Sequence, residues 1–297
     1  MIVATVFGLW LSVFLGDRSE AILSYVLILS FGVLHGANDI DLIGAYARKR
    51  GIKKSNFQYV IVYLLTILCI WSLFYVYPFL ALIAFVLISG YHFGEQHWNK
   101  KISFAPFWKA VFYFLYGSFI LFMIFYVNNE QVQVIIGEIS GIKLSGQFYR
   151  FTLILLGLLL AVQWALGLLL GHLKHQFFFE LFLLGIFYVI FKTSSLLLGF
   201  CIYFVIWHSV PSLLDQMKFL YGEISGKAFL KYLKSSFIYW LISVMGFFGI
   251  YLLLGSDDGF LVSALICFLA AITFPHVFIM SRLEKYLKAD SKTDVGG

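Results

Sequence analysis

The sequence predicts an all-α, polytopic transmembrane helical bundle of about ten spans, and two observations predict it. Of the 297 residues, 62% are hydrophobic and 12% charged, with a mean hydropathy of +0.93, values outside the range of water-soluble globular domains. Apolar runs long enough to cross a hydrocarbon layer of about 30 Å, which takes roughly 20 helical residues, recur along the whole chain between short polar or Gly/Pro breaks. Cys69, Cys201 and Cys267 lie singly inside such runs, which offers neither a disulfide framework nor a CxxC metal site.

In order, the runs fall at 2–16, 21–47, 57–77, 79–98, 105–127, 148–171, 177–192, 196–214, 232–254 and 260–281. The first is expected to be a short retained span, because the N-terminus lacks the basic region and small-residue cleavage site of a secretory signal. It and the seventh are short, so the expected number of spans is eight to ten. The polar stretch NNEQVQVIIGEISGIKLSGQ at 128–147 is expected to be an external loop or an interfacial helix. With no internal repeat, low-complexity tract or long linker, residues 1–297 read as a single integral-membrane domain with no soluble domain attached.

Basic residues set the orientation. Loops after the even-numbered spans carry Arg48, Lys49, Arg50, Lys53 and Lys54, then Lys100, Lys101 and Lys109, then Lys174, then Lys218, Lys227, Lys231 and Lys234, and finally Arg282, Lys285, Lys288 and Lys292. Opposite loops hold only Arg18, Lys143, Arg150 and Lys192. By the positive-inside rule this predicts a multi-pass protein of the inner (cytoplasmic) membrane with both termini in the cytoplasm. The net charge of +6 is thereby a mark of topology, and no nucleic-acid partner is expected.

Histidines carry the chemical signal. His35, His92, His208 and His276 lie near the inner ends of spans two, four, eight and ten, all of which run inward. They precede the next basic residue by 13, 8, 10 and 6 positions, a spread of about 10 Å in depth at 1.5 Å per residue. A lone membrane histidine is usually a packing residue, but four at similar depth on helices of one direction point to a metal site. Ionisable groups in a membrane interior are costly and mark functional positions, and neutral imidazole is a ligand for iron, copper and zinc. His97 is another candidate, five residues after His92; His172 and His175 flank Lys174 in a short loop and are expected to be solvated.

Asp39, four residues after His35, and Glu95, three after His92, share a helix face with their histidines. They are candidates to accept a second imidazole N–H and orient the ring; the alternative for both, and the preferred reading of Asp41, is pairing with basic residues at the membrane boundary. Gly32, Gly36 and Gly94 permit close helix approach or leave room for a ligand. Pro211 and Pro275 free backbone carbonyls beside His208 and His276. Tyr91, Phe93, Trp98, Tyr203, Phe204, Trp207, Phe274 and Phe278 stand near the histidines and are candidates to line an apolar tunnel for a conjugated or isoprenoid substrate.

The ordered set HGANDID, YHFGEQHW, WHSVPSLLDQ and FPHV resembles the Brp/Blh family of β-carotene dioxygenases over nearly the whole chain. The resemblance implies a membrane oxidoreductase that uses non-haem Fe(II) and O₂ to cleave β-carotene from the bilayer at its central double bond, giving retinal, which in prokaryotes supplies a rhodopsin. His35, His92 and His208 match family histidines expected to bind iron and to be catalytic. In the family pattern a second histidine lies four residues after the WH motif, where this chain has Ser212, and an acidic residue often follows HFG where this chain has His97. The fourth ligand is then His276, His97 or a water. Alternatives are another membrane metal oxidase or hydroxylase acting on an isoprenoid lipid, for which the HxxxH and HxxHH boxes of di-iron enzymes are missing, and a transporter or binding protein for a metal or hydrophobic ligand.

Overall fold

A computed structural model describes residues 1–49, 51, 56–173, 177–254 and 258–293. Arg50, Lys53, Lys54, Lys174 and His175 lie outside the described residues. Among the described residues the chain is helical nearly throughout and has no strand, only an isolated antiparallel bridge between Ile102 and Leu173.

In chain order the helices are α1 (Ile2–Phe14), α2 (Asp17–Lys49), α3 (Asn56–Val76), α4 (Pro78–Trp98), α5 (Pro106–Val127), α6 (Asn129–Ser140), α7 (Gly146–Leu169), α8 (Phe177–Thr193), α9 (Leu196–Tyr221), α10 (Gly226–Leu254) and α11 (Asp258–Thr293). Their limits follow local chemistry. Pro106 opens α5, where its missing N–H costs nothing. Ser145 and Ser195 cap α7 and α9 by accepting the N–H groups of Phe148 and Leu198. Gly141 ends α6 in the left-handed conformation, at φ 70°. Eight helices, α2–α5, α7 and α9–α11, are long and apolar enough to cross a membrane. α1, with 13 residues, and α8, with 17, are the two short runs, and the polar stretch after α5 forms the separate helix α6.

Two spans depart from regular α-helix. α2 widens into a π-helical turn at Ile28–Gly32 and is interrupted again at Asn38, and α9 widens at Phe204–Ser209. The second has a local cause. Pro211 has no N–H to offer the carbonyl one turn back, and the ladder shifts. The Val210 N–H donates to Val205, five residues earlier, and the Ser209 hydroxyl donates to Phe204 at 3.1 Å.

The described residues form two compact units. In Met1–Gly32 with Ile83–Ser212, α5 packs along α7, α1 packs on α8, and the first turns of α2 pack on those of α9. α4 approaches α5 at backbone contact: a Cβ on Gly94 would collide with the Tyr113 carbonyl, and one on Gly117 with the Gly90 carbonyl. These contacts fix the register of α4, with His92 between Gly90 and Gly94. In the described residues of Val33–Leu82 and Leu213–Gly297, the last turns of α2 pack on α3 and α11, and α10 packs on residues 33–37 and on α11. Leu42, Phe219, Ile279, Met280 and Leu283 form one buried apolar cluster of this unit, and Leu213, Met217, Ala228 and Tyr232 another.

Candidate metal centre

Each unit holds one pair of buried imidazoles. In the first, His92 from α4 and His208 from the π-helical turn of α9 meet edge to face, their ring centres 4.7 Å apart, and both are only 2% exposed. Phe204 stacks on His208 at 5.6 Å and 17°, Phe93 leans on the same ring at 4.8 Å, and Tyr203 packs edge-on against Phe93. The expected carboxylate is present but is shared: Glu95 stands 3.9 Å from His92 Nδ1 and accepts the Tyr91 hydroxyl at 3.1 Å.

Gly32 controls the wall of this pair. A Cβ there would lie 2.7 Å from Cε1 of Phe204, inside van der Waals contact, so only glycine lets Phe204 sit flat on His208. The glycine singled out in the sequence for close helix approach serves that ring.

In the second unit His35 from α2 and His276 from α11 also meet edge to face, 4.7 Å between ring centres. Asp39 accepts the Nδ1–H of His276 at 2.9 Å through Oδ1 and the hydroxyl of Tyr63 at 3.0 Å through Oδ2. The i, i+4 spacing places Asp39 on the face of His35, and the same carboxylate also reaches His276 on α11. His35 is held by its backbone. Gln216 Nε2 donates to the His35 carbonyl at 2.7 Å, the Tyr232 hydroxyl donates to Gln216 Oε1 at 2.8 Å, and Asn38 donates to the Tyr232 carbonyl at 3.2 Å. Gln216, Tyr232 and Tyr63 were not legible as functional from sequence. A polar residue in two of the quoted motifs, Asn38 in HGANDID and Gln216 in WHSVPSLLDQ, was the available signal.

The other candidates fall elsewhere. His97 Nε2 lies 2.8 Å from Glu180 on α8, whose other oxygen accepts Lys101 Nζ at 2.8 Å, while the Tyr116 hydroxyl donates to Glu180 at 3.2 Å and its ring stacks on His97. Trp98 belongs to an aromatic cluster with Phe112, Tyr116 and Trp164. Trp207 donates to Thr5 at 2.9 Å and leans on His97. Phe274 is half-buried, and Phe278, 63% exposed, lies on the outer surface beneath Arg282. His172 sits at the turn after α7 with its ring against Phe104. Ser212 is fully buried in α9.

The donor chemistry suits a metal ion. Two imidazoles at right angles on a first-row ion, each nitrogen about 2.1 Å from it, bring their ring centres to about 4.6 Å, against about 5.3 Å at the tetrahedral angle, and the 4.7 Å of each pair is near the first. A carboxylate against Nδ1 suits an imidazole that carries its proton there and turns Nε2 to a metal, the arrangement common among metal-bound histidines.

Long apolar spans bearing paired, buried imidazoles, one pair walled by aromatic rings, define a polytopic helical bundle with histidines buried among its candidate membrane spans. Comparison with known families then supplies the particular one: the model of the beta-carotene 15,15'-dioxygenase family matches residues 26–284, and the chain belongs to that family. All four histidine motifs lie within the matched stretch. No curated protein and no solved structure matches the chain.

Proposed function

We propose that the protein is a membrane non-haem iron dioxygenase that takes β-carotene, or a related carotenoid, from the bilayer and uses O₂ to split its central double bond, giving retinal. The observation that carries this reading is the two pairs of buried imidazoles in a chain of the beta-carotene 15,15'-dioxygenase family. His35, His92, His208 and His276 are the residues that would hold one ferrous ion. His276 takes the part for which Ser212 is unsuited, because a neutral hydroxyl is a poor ligand for Fe(II) beside imidazole, and Asp39 stands against its Nδ1 to orient the ring.

Bound iron supplies the redox chemistry that lets dioxygen react with an alkene. One C=C bond breaks, both oxygen atoms end in the two aldehydes, and no proton is gained or lost. The chain therefore needs no general acid or base for the net reaction. Its residues hold the histidines in register, exclude water and align the polyene, and Phe93, Tyr203 and Phe204 beside His208 are suited to an apolar conjugated chain. Retinal released into the bilayer would be available to a retinal-binding rhodopsin.

Expression in a β-carotene-producing bacterium tests the reading. The expected result is loss of the orange colour with accumulation of retinal, resolved by chromatography of the pigment extract. Unchanged β-carotene in cells whose membranes contain the folded protein would reject this substrate.

A further inference from the structure

We infer that Tyr63 is a positioning residue for the metal centre, acting on His276 through Asp39; this rests on the iron-binding reading above. Tyr63 lies in the first half of α3, an apolar helix whose other described residues largely face outward. Its hydroxyl points inward and donates to Asp39 Oδ2 at 3.0 Å, while Asp39 Oδ1 receives the Nδ1–H of His276 at 2.9 Å. The carboxylate is 1% exposed. Both hydrogen bonds are donated to Asp39, one to each oxygen, so rotation of the carboxylate about its Cβ–Cγ bond would break both together. Tyr63 is thereby the stop that holds Oδ1 toward α11, and with it the plane of the His276 ring and the direction of its Nε2 lone pair.

Three elements share the work: α3 supplies the stop, α2 the carboxylate and α11 the imidazole. Removing the hydroxyl alone leaves the aromatic body of residue 63 in place and takes away the hydrogen bond to Asp39 Oδ2. Groups that orient a metal-bound histidine in this way typically contribute 10- to 100-fold to metal affinity, and Tyr63→Phe is expected to weaken binding within that range.

The test uses the full chain purified in detergent without oxygen, titrated with Fe(II) for affinity and with Co(II) for its visible ligand-field spectrum. The variants are Tyr63→Phe, Asp39→Asn and Tyr63→Phe with Asp39→Asn; Tyr75→Phe, at an outward-facing position of the same helix, is the control. The inference expects weaker Fe(II) binding and an altered Co(II) spectrum for Tyr63→Phe, a larger loss for Asp39→Asn, and a double variant no worse than Asp39→Asn alone. A Tyr63→Phe protein that melts at a lower temperature yet keeps the wild-type metal affinity and Co(II) spectrum overturns it, since the hydroxyl would then serve packing only. Additive losses in the double variant also overturn it. Wild-type protein that takes up neither metal would instead remove the reading on which the inference stands.

Discussion

A buried imidazole is useful to a metal only when something else holds its backbone or its second nitrogen. Both devices occur in this chain: Asp39 grips the His276 ring, and Gln216 with Tyr232 grips the His35 carbonyl. His35→Ala, His92→Ala and His208→Ala are each expected to abolish bound iron, measured as iron per purified chain, whereas His172→Ala retains it. His276→Ala and His97→Ala separate the remaining alternatives. Loss of iron in the first and retention in the second is the expected outcome, because His97 is committed to Glu180 and Lys101. His97→Ala should instead lower stability by about 1–3 kcal/mol, the cost of leaving a buried polar partner under-satisfied, seen as a lower melting temperature in detergent. The four histidines were legible because ionisable side chains stand out in apolar runs. Tyr63 was not: it is one of 18 tyrosines, and an aromatic residue in a membrane helix carries no signal of its own until a carboxylate is found against its hydroxyl.

At the scale of the helix, the main surprise is the π-helical turn. Shifting the ladder at Phe204–Ser209 adds one residue to a turn, which rotates His208 relative to the helix before it while leaving the apolar pattern intact. A hydropathy reading therefore locates the span and misses the turn. Only Pro211 hinted at it. Gly32 completes the arrangement, since the Phe204 ring occupies the space its missing side chain leaves. Gly32→Ala is expected to destabilise the protein by about 1–3 kcal/mol, as overpacking does, and to weaken iron binding through the displaced Phe204. Adding Phe204→Leu should recover most of both losses in melting temperature and iron titration; failure to recover either would show that Gly32 acts on something other than that ring.

At the scale of the molecule, the number of crossings decides the orientation. Eight helices qualify by length and composition, yet the basic loops alternate correctly only if the 17-residue α8 crosses too. At 1.5 Å per residue it spans about 25 Å, enough for a bilayer that thins slightly around it. Lys143→Cys is expected to react with an impermeant maleimide on intact cells, and Lys100→Cys only after permeabilisation, each in a background lacking Cys69, Cys201 and Cys267. Labelling of both from the same side would refute the alternation. The all-helical class and the main spans were legible because lipid imposes long apolar runs; the status of the two short ones was not, because length alone leaves them on the boundary.

The Glu180 cluster has a bearing on biogenesis. A short segment with a carboxylate in its first turn is a poor candidate for entry into lipid by itself, whereas its neutralising amine, Lys101, and its hydrogen-bonding companions His97 and Tyr116 are all translated before it. α8 thus emerges from the ribosome when the partners of its charge have already been synthesised, and on the ten-span reading that order would favour its insertion.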